Sequence, residues 1–256
     1  MPDSTLKNPQ LDGSAFYWEG GPVGILLVHG LTATAVEVRL FAQRLHDLGY
    51  TVAGPLLPGH GSTPAALNRT HWPEWVAEAE QVYLQMAKTC QSIILGGESA
   101  GAVIALYLAS FHPEAVAVLA YAPAIKLAVS RLQEIELRLA APFILATPKG
   151  DIDREDYWQG YKVNPLKATL QLIQFQKEAL KRLPMVEQPL LVVQGRHDTT
   201  IHPTAGEIAM QAAGSTVKEM HWMENSTHVV LLDQELDEIT TFSVEFIQRA
   251  LAGKKP

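Results

Sequence analysis

The pentapeptide Gly97-Glu98-Ser99-Ala100-Gly101 limits what this chain can fold into more than any other stretch. An apolar, strand-like run, Ser92-Ile93-Ile94-Leu95-Gly96, leads directly into it, and a helix-like run, Ala102-Val103-Ile104-Ala105-Leu106, leads directly out. A serine between two such segments sits in a sharp strand-to-helix turn, its hydroxyl raised off the sheet and the next backbone N–H free to bind an anion. The two glycines follow from crowding, because a Cβ two residues before or after the serine would meet crossing backbone. The pattern alone has three fixed positions and also occurs in ordinary turns, so the flanking strand and helix carry the weight.

Strand-like and helix-like segments alternate from about residue 24. Gly24-Ile25-Leu26-Leu27-Val28 is a continuous apolar run of the kind buried on both faces of a parallel sheet. A helix pattern over 35–48 is closed by Gly49, and 50–53 reads as the next strand. Beyond a Gly- and Pro-rich loop at 54–64, a helix is predicted over 72–88, ahead of the strand that feeds the turn. After the turn helix, 116–121 is another buried strand. Repeated strand–helix–strand units predict an α/β chain with a mostly parallel sheet and helices on both faces.

Between Pro123 and about Glu187 the rhythm changes. No strand-like run occurs, and helical patterns occupy 126–139 and 168–183, joined by a polar segment, 147–154, expected to be mobile. Residues 123–187 therefore read as a helical cap inserted into a core built from 1–122 and 188–256. The sheet resumes at Leu190-Leu191-Val192-Val193-Gln194, followed by a helix over 203–213, a strand over 216–223 and a last helix over 234–251.

The 256 residues, 47% hydrophobic and 18% charged, suit one large α/β domain with an insertion. A net charge of -7 with no basic run argues against a nucleic-acid partner. No stretch approaches the roughly 18 apolar residues of a membrane span, so no stable membrane insertion is expected. The N-terminus lacks a basic segment followed by an apolar one, which reads as cytoplasmic. The single cysteine, Cys90, can form no intrachain disulfide and reads as a packed thiol. With no HExxH, and with His197 and His202 read as loop residues, no metal and no cofactor are expected.

A serine hydroxyl is a poor nucleophile near neutral pH and needs a base, which in turn needs an orienting group. Of nine histidines, His228 is best placed, in a polar loop between the last strand and the last helix, at the edge where strand C-termini gather. His221, inside the preceding strand, reads as a packing or edge residue. Asp198 follows the buried strand at 190–193 and is the candidate acid, although such an aspartate can also serve only a turn. Asp233 reads as an N-terminal cap of the last helix. Two backbone donors, the N–H groups of Ala100 and Leu31, are expected to form an oxyanion hole. Gly30 lets that loop turn inward, and His29 reads as a structural donor bracing it.

With these residues together, the chain resembles the α/β-hydrolase superfamily, and within it the small bacterial carboxylesterases and monoacylglycerol lipases. The resemblance rests on His29-Gly30-Leu31, Pro58-Gly59-His60-Gly61, the Ser99 pentapeptide, Gly195-Arg196-His197-Asp198 and His228, and spans residues 24–250. The order Ser99, Asp198, His228 is the order of that superfamily. The resemblance implies a helical cap over the serine and cofactor-free ester hydrolysis, with Ser99 as nucleophile, His228 as base and Asp198 as its orienter. The pentapeptide is also similar to that of type-B carboxylesterases, but His29-Gly30-Leu31-Thr32 replaces their Gly-rich HGGG loop, which points to the smaller esterases and away from tertiary-alcohol esters. A serine at position 99 argues against haloalkane dehalogenases and epoxide hydrolases, whose nucleophile is aspartate.

The expected activity is that of a serine carboxylic ester hydrolase (EC 3.1.1 type) acting on small-molecule esters of short to medium acyl chains. Leu127, Leu132, Ile135, Leu139, Leu172, Ile173 and Phe175 are the apolar residues the cap offers, most of them expected as contacts with the sheet. Leu132, Ile135, Leu139 and Leu172 are the candidates for an acyl pocket. The same triad could serve a thioesterase, a lactonase or a C–C bond hydrolase, and a non-catalytic binding protein on this scaffold is a third possibility.

Overall fold

The computed structural model describes residues 5–150 and 155–253. Short strands β1 (Leu6–Lys7) and β2 (Phe16–Trp18) precede β3 (Val23–Val28), α1 (Val36–Asp47), β4 (Thr51–Gly54), α2 (Pro64–Leu67), α3 (Trp72–Met86), β5 (Ser92–Glu98), α4 (Ala100–Ala109) and β6 (Ala117–Tyr121). The chain then leaves the main sheet for α5 (Arg131–Ala140), β7 (Ala146–Pro148), β8 (Gly160–Tyr161), β9 (Val163–Pro165) and α6 (Leu166–Arg182). It returns with β10 (Leu190–Gly195), α7 (Ala205–Ala212), β11 (Lys218–Met223) and α8 (Leu236–Gly253). The seven-stranded sheet runs β11-β10-β6-β5-β3-β4-β2, parallel throughout except for the edge pair β2–β4. This is the α/β-hydrolase architecture, a mostly parallel sheet flanked by helices.

The continuous apolar strands follow from burial on both faces. Along β3, Leu26 and Val28 join a cluster with Trp75, Ala79 and Tyr83 of α3 and Val103 and Leu106 of α4, whereas Ile25 and Leu27 join one with Phe41 and Leu45 of α1 and Phe246 and Ile247 of α8. Helix α4 is buried on nearly every side, which is why its sequence shows no polar face. Register aligns the strand C-termini: Val28 lies beside Gly97, Glu98 beside Tyr121, and Tyr121 beside Val193. Among the described residues, no helix is long and apolar enough to cross a membrane.

Several sequence expectations need correction. The sheet begins before residue 24, with β2. The inserted region does contain strands, although β7, β8 and β9 are only two or three residues long and carry Pro148, Gly160 and Pro165, too short for an alternation to register. Helix α5 starts at Arg131 rather than 126, because Ser130 caps it: its Oγ accepts from Gln133 N–H while Gln133 Oε1 accepts from Ser130 N–H. The preceding residues are instead held to the core by a bridge between Leu127 and Ile201. Of the segment expected to be mobile, Thr147 and Pro148 belong to β7, and 151–154 lie outside the described residues.

Candidate active site

Ser99 occupies the turn between β5 and α4 with φ 56° and ψ -116°, backbone that an L-residue adopts only under constraint. The constraint is crowding. A Cβ on Gly101 would lie 1.9 Å from Val28 O, and one on Gly97 would lie 2.6 Å from the carbonyl carbon of Gly101 and from Val28 O. The loop after β3 also packs against the turn, since a Cβ on Gly30 would come within 3.0 Å of Ser99 Cβ.

The structure brings Ser99, His228 and Asp198 into one chain of hydrogen bonds. Ser99 Oγ donates to His228 Nε2 at 2.9 Å, and His228 Nδ1 donates to Asp198 Oδ2 at 2.7 Å. Asp198 Oδ1 accepts from the backbone N–H groups of Thr200 and Ile201 at 2.8 and 3.1 Å, fixing the carboxylate plane. Burial pushes the Asp198 carboxyl up, but the His228 ring and these two N–H groups outweigh it and hold the acid below its usual range. His228 is carried by the loop after β11, and Asp233 supports that loop. Asp233 accepts from Thr227 N–H at 2.9 Å and from Gln234 N–H at 2.7 Å. Because α8 begins only at Leu236, Asp233 braces the residue before His228 instead of capping the helix.

Leu31 lies in the loop after β3, and Ala100, directly after Ser99, is the first residue of α4. Among the described residues neither backbone N–H has a protein acceptor, so both are available as donors to a bound oxygen. His29 braces the loop in two directions: Nδ1 donates to Gly30 O at 2.9 Å, and Nε2 accepts from Leu57 N–H at 3.1 Å. Burial pushes its ring down to about 4, only partly offset by the Gly30 carbonyl, so near neutral pH it is uncharged.

The other expectations divide. Leu172, Ile173 and Phe175 are buried, whereas Leu132, Ile135 and Leu139 stand 65%, 54% and 70% exposed on α5. These three are therefore not core contacts. His221 lies on the edge strand β11 and stacks on Phe242. His202 Nδ1 accepts from Thr204 N–H. Cys90 is half-buried behind β3.

Sequence reasoning missed three polar groups. Glu37, in the first turn of α1, is buried, and burial raises its carboxyl despite the N–H groups of Gly30 and Trp158 and the nearby charges of His228 and Lys149. Glu98 is fully buried behind the turn. Its Oε1 accepts from Leu231 N–H at 3.1 Å and, among the described residues, its Oε2 has no hydrogen-bond partner; burial, with Glu37 and Asp198 nearby, lifts it well above the usual range. Lys149 donates from Nζ to Thr32 Oγ1 at 2.6 Å, and burial lowers it to about 8. Only the unexpected acidity of position 98, beside Ser99, offers a signal in the sequence.

Known proteins are similar to this chain over most of its length. The family described as serine aminopeptidase, S33 matches residues 23–235. A thermostable monoacylglycerol lipase of Bacillus sp. (strain H-257) is 33% identical over 248 residues, 94% of this chain and 97% of that protein. A carboxylesterase of Bacillus subtilis (strain 168) is 27% identical over 235 residues, 91% and 96% of the two chains. Among solved structures, one from a study of the metagenome-derived lipolytic enzymes LipS and LipT superposes with a TM-score of 0.85 at 31% identity, covering 93% of this chain and 98% of that one.

Proposed function

The chain belongs to the serine aminopeptidase S33 family and is an ester-hydrolysing α/β-hydrolase; from that premise we propose that it cleaves carboxylic esters of short to medium acyl chains through Ser99, His228 and Asp198. The observation that carries the reading is the relay itself, Ser99 Oγ to His228 Nε2 at 2.9 Å and His228 Nδ1 to Asp198 Oδ2 at 2.7 Å, set in a turn whose neighbours hold two unspent N–H donors.

Ser99 Oγ attacks the ester carbonyl as its proton passes to His228 Nε2, and Asp198 stabilises the resulting imidazolium while fixing its tautomer. The carbonyl oxygen becomes an oxyanion between the Leu31 and Ala100 N–H groups. Such preorganised donors are typically each worth about 100-fold to 1000-fold in rate. Collapse breaks the bond to the alkoxy oxygen, which leaves as the alcohol with the proton from His228. A water molecule, deprotonated by the same nitrogen, then attacks the acyl-enzyme and releases the acid and free Ser99.

Residues 123–187 act as a cap on a core of 1–122 and 188–256. The exposed apolar side chains Leu132, Ile135 and Leu139 support an apolar acyl partner, and a monoacylglycerol is the substrate suggested by the Bacillus sp. relative's name. The test is a panel of p-nitrophenyl esters from acetate to palmitate beside monoacylglycerol, acyl-CoA and lactone substrates. The expected optimum lies among the short and medium esters, with a fluorophosphonate adduct on Ser99. Absence of hydrolysis of every ester refutes the reading.

A further inference from the structure

The hydrolytic steps leave Glu37 without a role, yet its two oxygens join two distant parts of the chain. Oε2 accepts from the N–H of Gly30, the residue before Leu31, and Oε1 accepts from the indole N–H of Trp158 at 3.1 Å. Trp158 and Lys149 both come from the inserted region, and the Lys149 ammonium lies 4.2 Å from the centre of the Trp158 ring. The same region holds the loop after β3 through its backbone: Tyr161 N–H donates to Thr32 O at 2.9 Å and Thr34 N–H to Gln159 O at 3.1 Å.

The held loop is not relaxed. Thr32 has φ 71°, a left-handed conformation costly for a β-branched residue. Gly30 is wedged between the carboxylate and the nucleophile, since a Cβ there would meet Glu37 Oε2 at 2.9 Å and Ser99 Cβ at 3.0 Å. A strained loop packed this closely keeps its shape only while its surroundings over-determine it.

We propose that Glu37 is a positioning residue for the hydrolysis. It holds the Gly30–Leu31 peptide so that the Leu31 N–H faces the space above Ser99, and Trp158 fixes Glu37 in turn, which makes the inserted region part of the oxyanion machinery as well as a cover. This rests on the reading of Leu31 and Ala100 as oxyanion donors. The chemistry requires two acceptors on one side chain. A glutamine offers one, and would turn an NH2 group against a second N–H.

The test compares Glu37→Gln, Trp158→Phe and the double variant for kcat and KM on p-nitrophenyl butyrate. It adds inhibition by a trifluoromethyl ketone, whose serine adduct carries an oxyanion, and by butyrate, which carries none. Glu37→Gln is expected to lower kcat about 10-fold to 100-fold, the scale of a misplaced donor. KM should stay within about twofold, the ketone should weaken in parallel with kcat, and butyrate should bind as before. Trp158→Phe should act in the same direction but less. The double variant should regain activity over Glu37→Gln, because the glutamine oxygen then serves Gly30 alone.

Unchanged kcat in Glu37→Gln, or equal losses of ketone and butyrate binding, overturns the proposal. If Glu37→Gln does not fold, unaltered ketone binding in Trp158→Phe overturns it instead. If the ketone binds the wild type no better than its unfluorinated analogue, the oxyanion reading itself fails. If it binds wild type and Glu37→Gln equally tightly, only the role of Glu37 falls.

Discussion

Gly101→Ala adds one methyl group at the most crowded point of the molecule. Its Cβ would stand 1.9 Å from Val28 O, 2.4 Å from Val28 C and 2.7 Å from His29 O, and real Cβ contacts essentially never fall below 3.0 Å. All three neighbours are backbone of β3 and the loop that follows, so no side chain can rotate away. The turn and the loop must separate by about 1 Å, a displacement that moves Ser99 relative to the Leu31 N–H and costs about 100-fold in kcat/KM. Overpacking of this kind destabilises by about 1–3 kcal/mol, a fall in Tm of about 2–12 °C for a chain of this size. Gly150→Ala, with nothing within 4 Å of the added carbon, is the control. Rates on p-nitrophenyl butyrate and thermal unfolding by circular dichroism check both numbers. A Gly101→Ala enzyme within twofold of wild-type kcat/KM would show that the turn is not rigid in the way its geometry requires.

Asp198→Asn should lower kcat about 10⁴-fold with little change in KM, and Ser99→Ala should lose both hydrolysis and the fluorophosphonate adduct in intact-mass spectra. His29 is pushed down to about 4 in the folded chain, so the unfolded chain binds its proton first as pH falls through 6.5. Wild type should therefore lose roughly 3 kcal/mol relative to His29→Gln between pH 7 and 4 in urea titrations, and parallel pH profiles would contradict this. Glu98 is displaced upward, so its folded form holds a proton that the unfolded form has released, and stability falls as pH rises above 4.5. Glu98→Gln should gain on wild type between pH 5 and 8, and a constant difference across that range would exclude a buried acid there.

Ser99 was legible because everything it needs is local: a strand before it, a glycine on each side and a helix after. Asp198 and His228 were legible for a related reason, since each follows its own strand and a parallel sheet delivers all such loops to one edge. Glu37 was not. It looks like an ordinary acidic residue in a helix's first turn, yet it is buried and its indole partner, Trp158, lies 121 positions later. Helical spacing likewise groups Leu132, Ile135 and Leu139 on one face but says nothing about whether another element covers that face, and among the described residues all three stay exposed. Asp233 serves its own loop and not the helix because α8 begins at Leu236, two residues beyond the start that the spacing predicts.

The pairing of β1 with β8 carries a consequence for synthesis. Leu6 lies opposite Tyr161 and Lys7 opposite Gly160, and Gln159 reaches the backbone of Asn8 and Leu11 through its side-chain amide. During synthesis Leu6 and Lys7 therefore wait for partners made about 150 residues later, roughly 8–30 s at ordinary elongation rates. His228 emerges later still. A nascent chain thus carries Ser99 well before His228, and the hydrogen bond between them cannot form until 129 further positions have been translated.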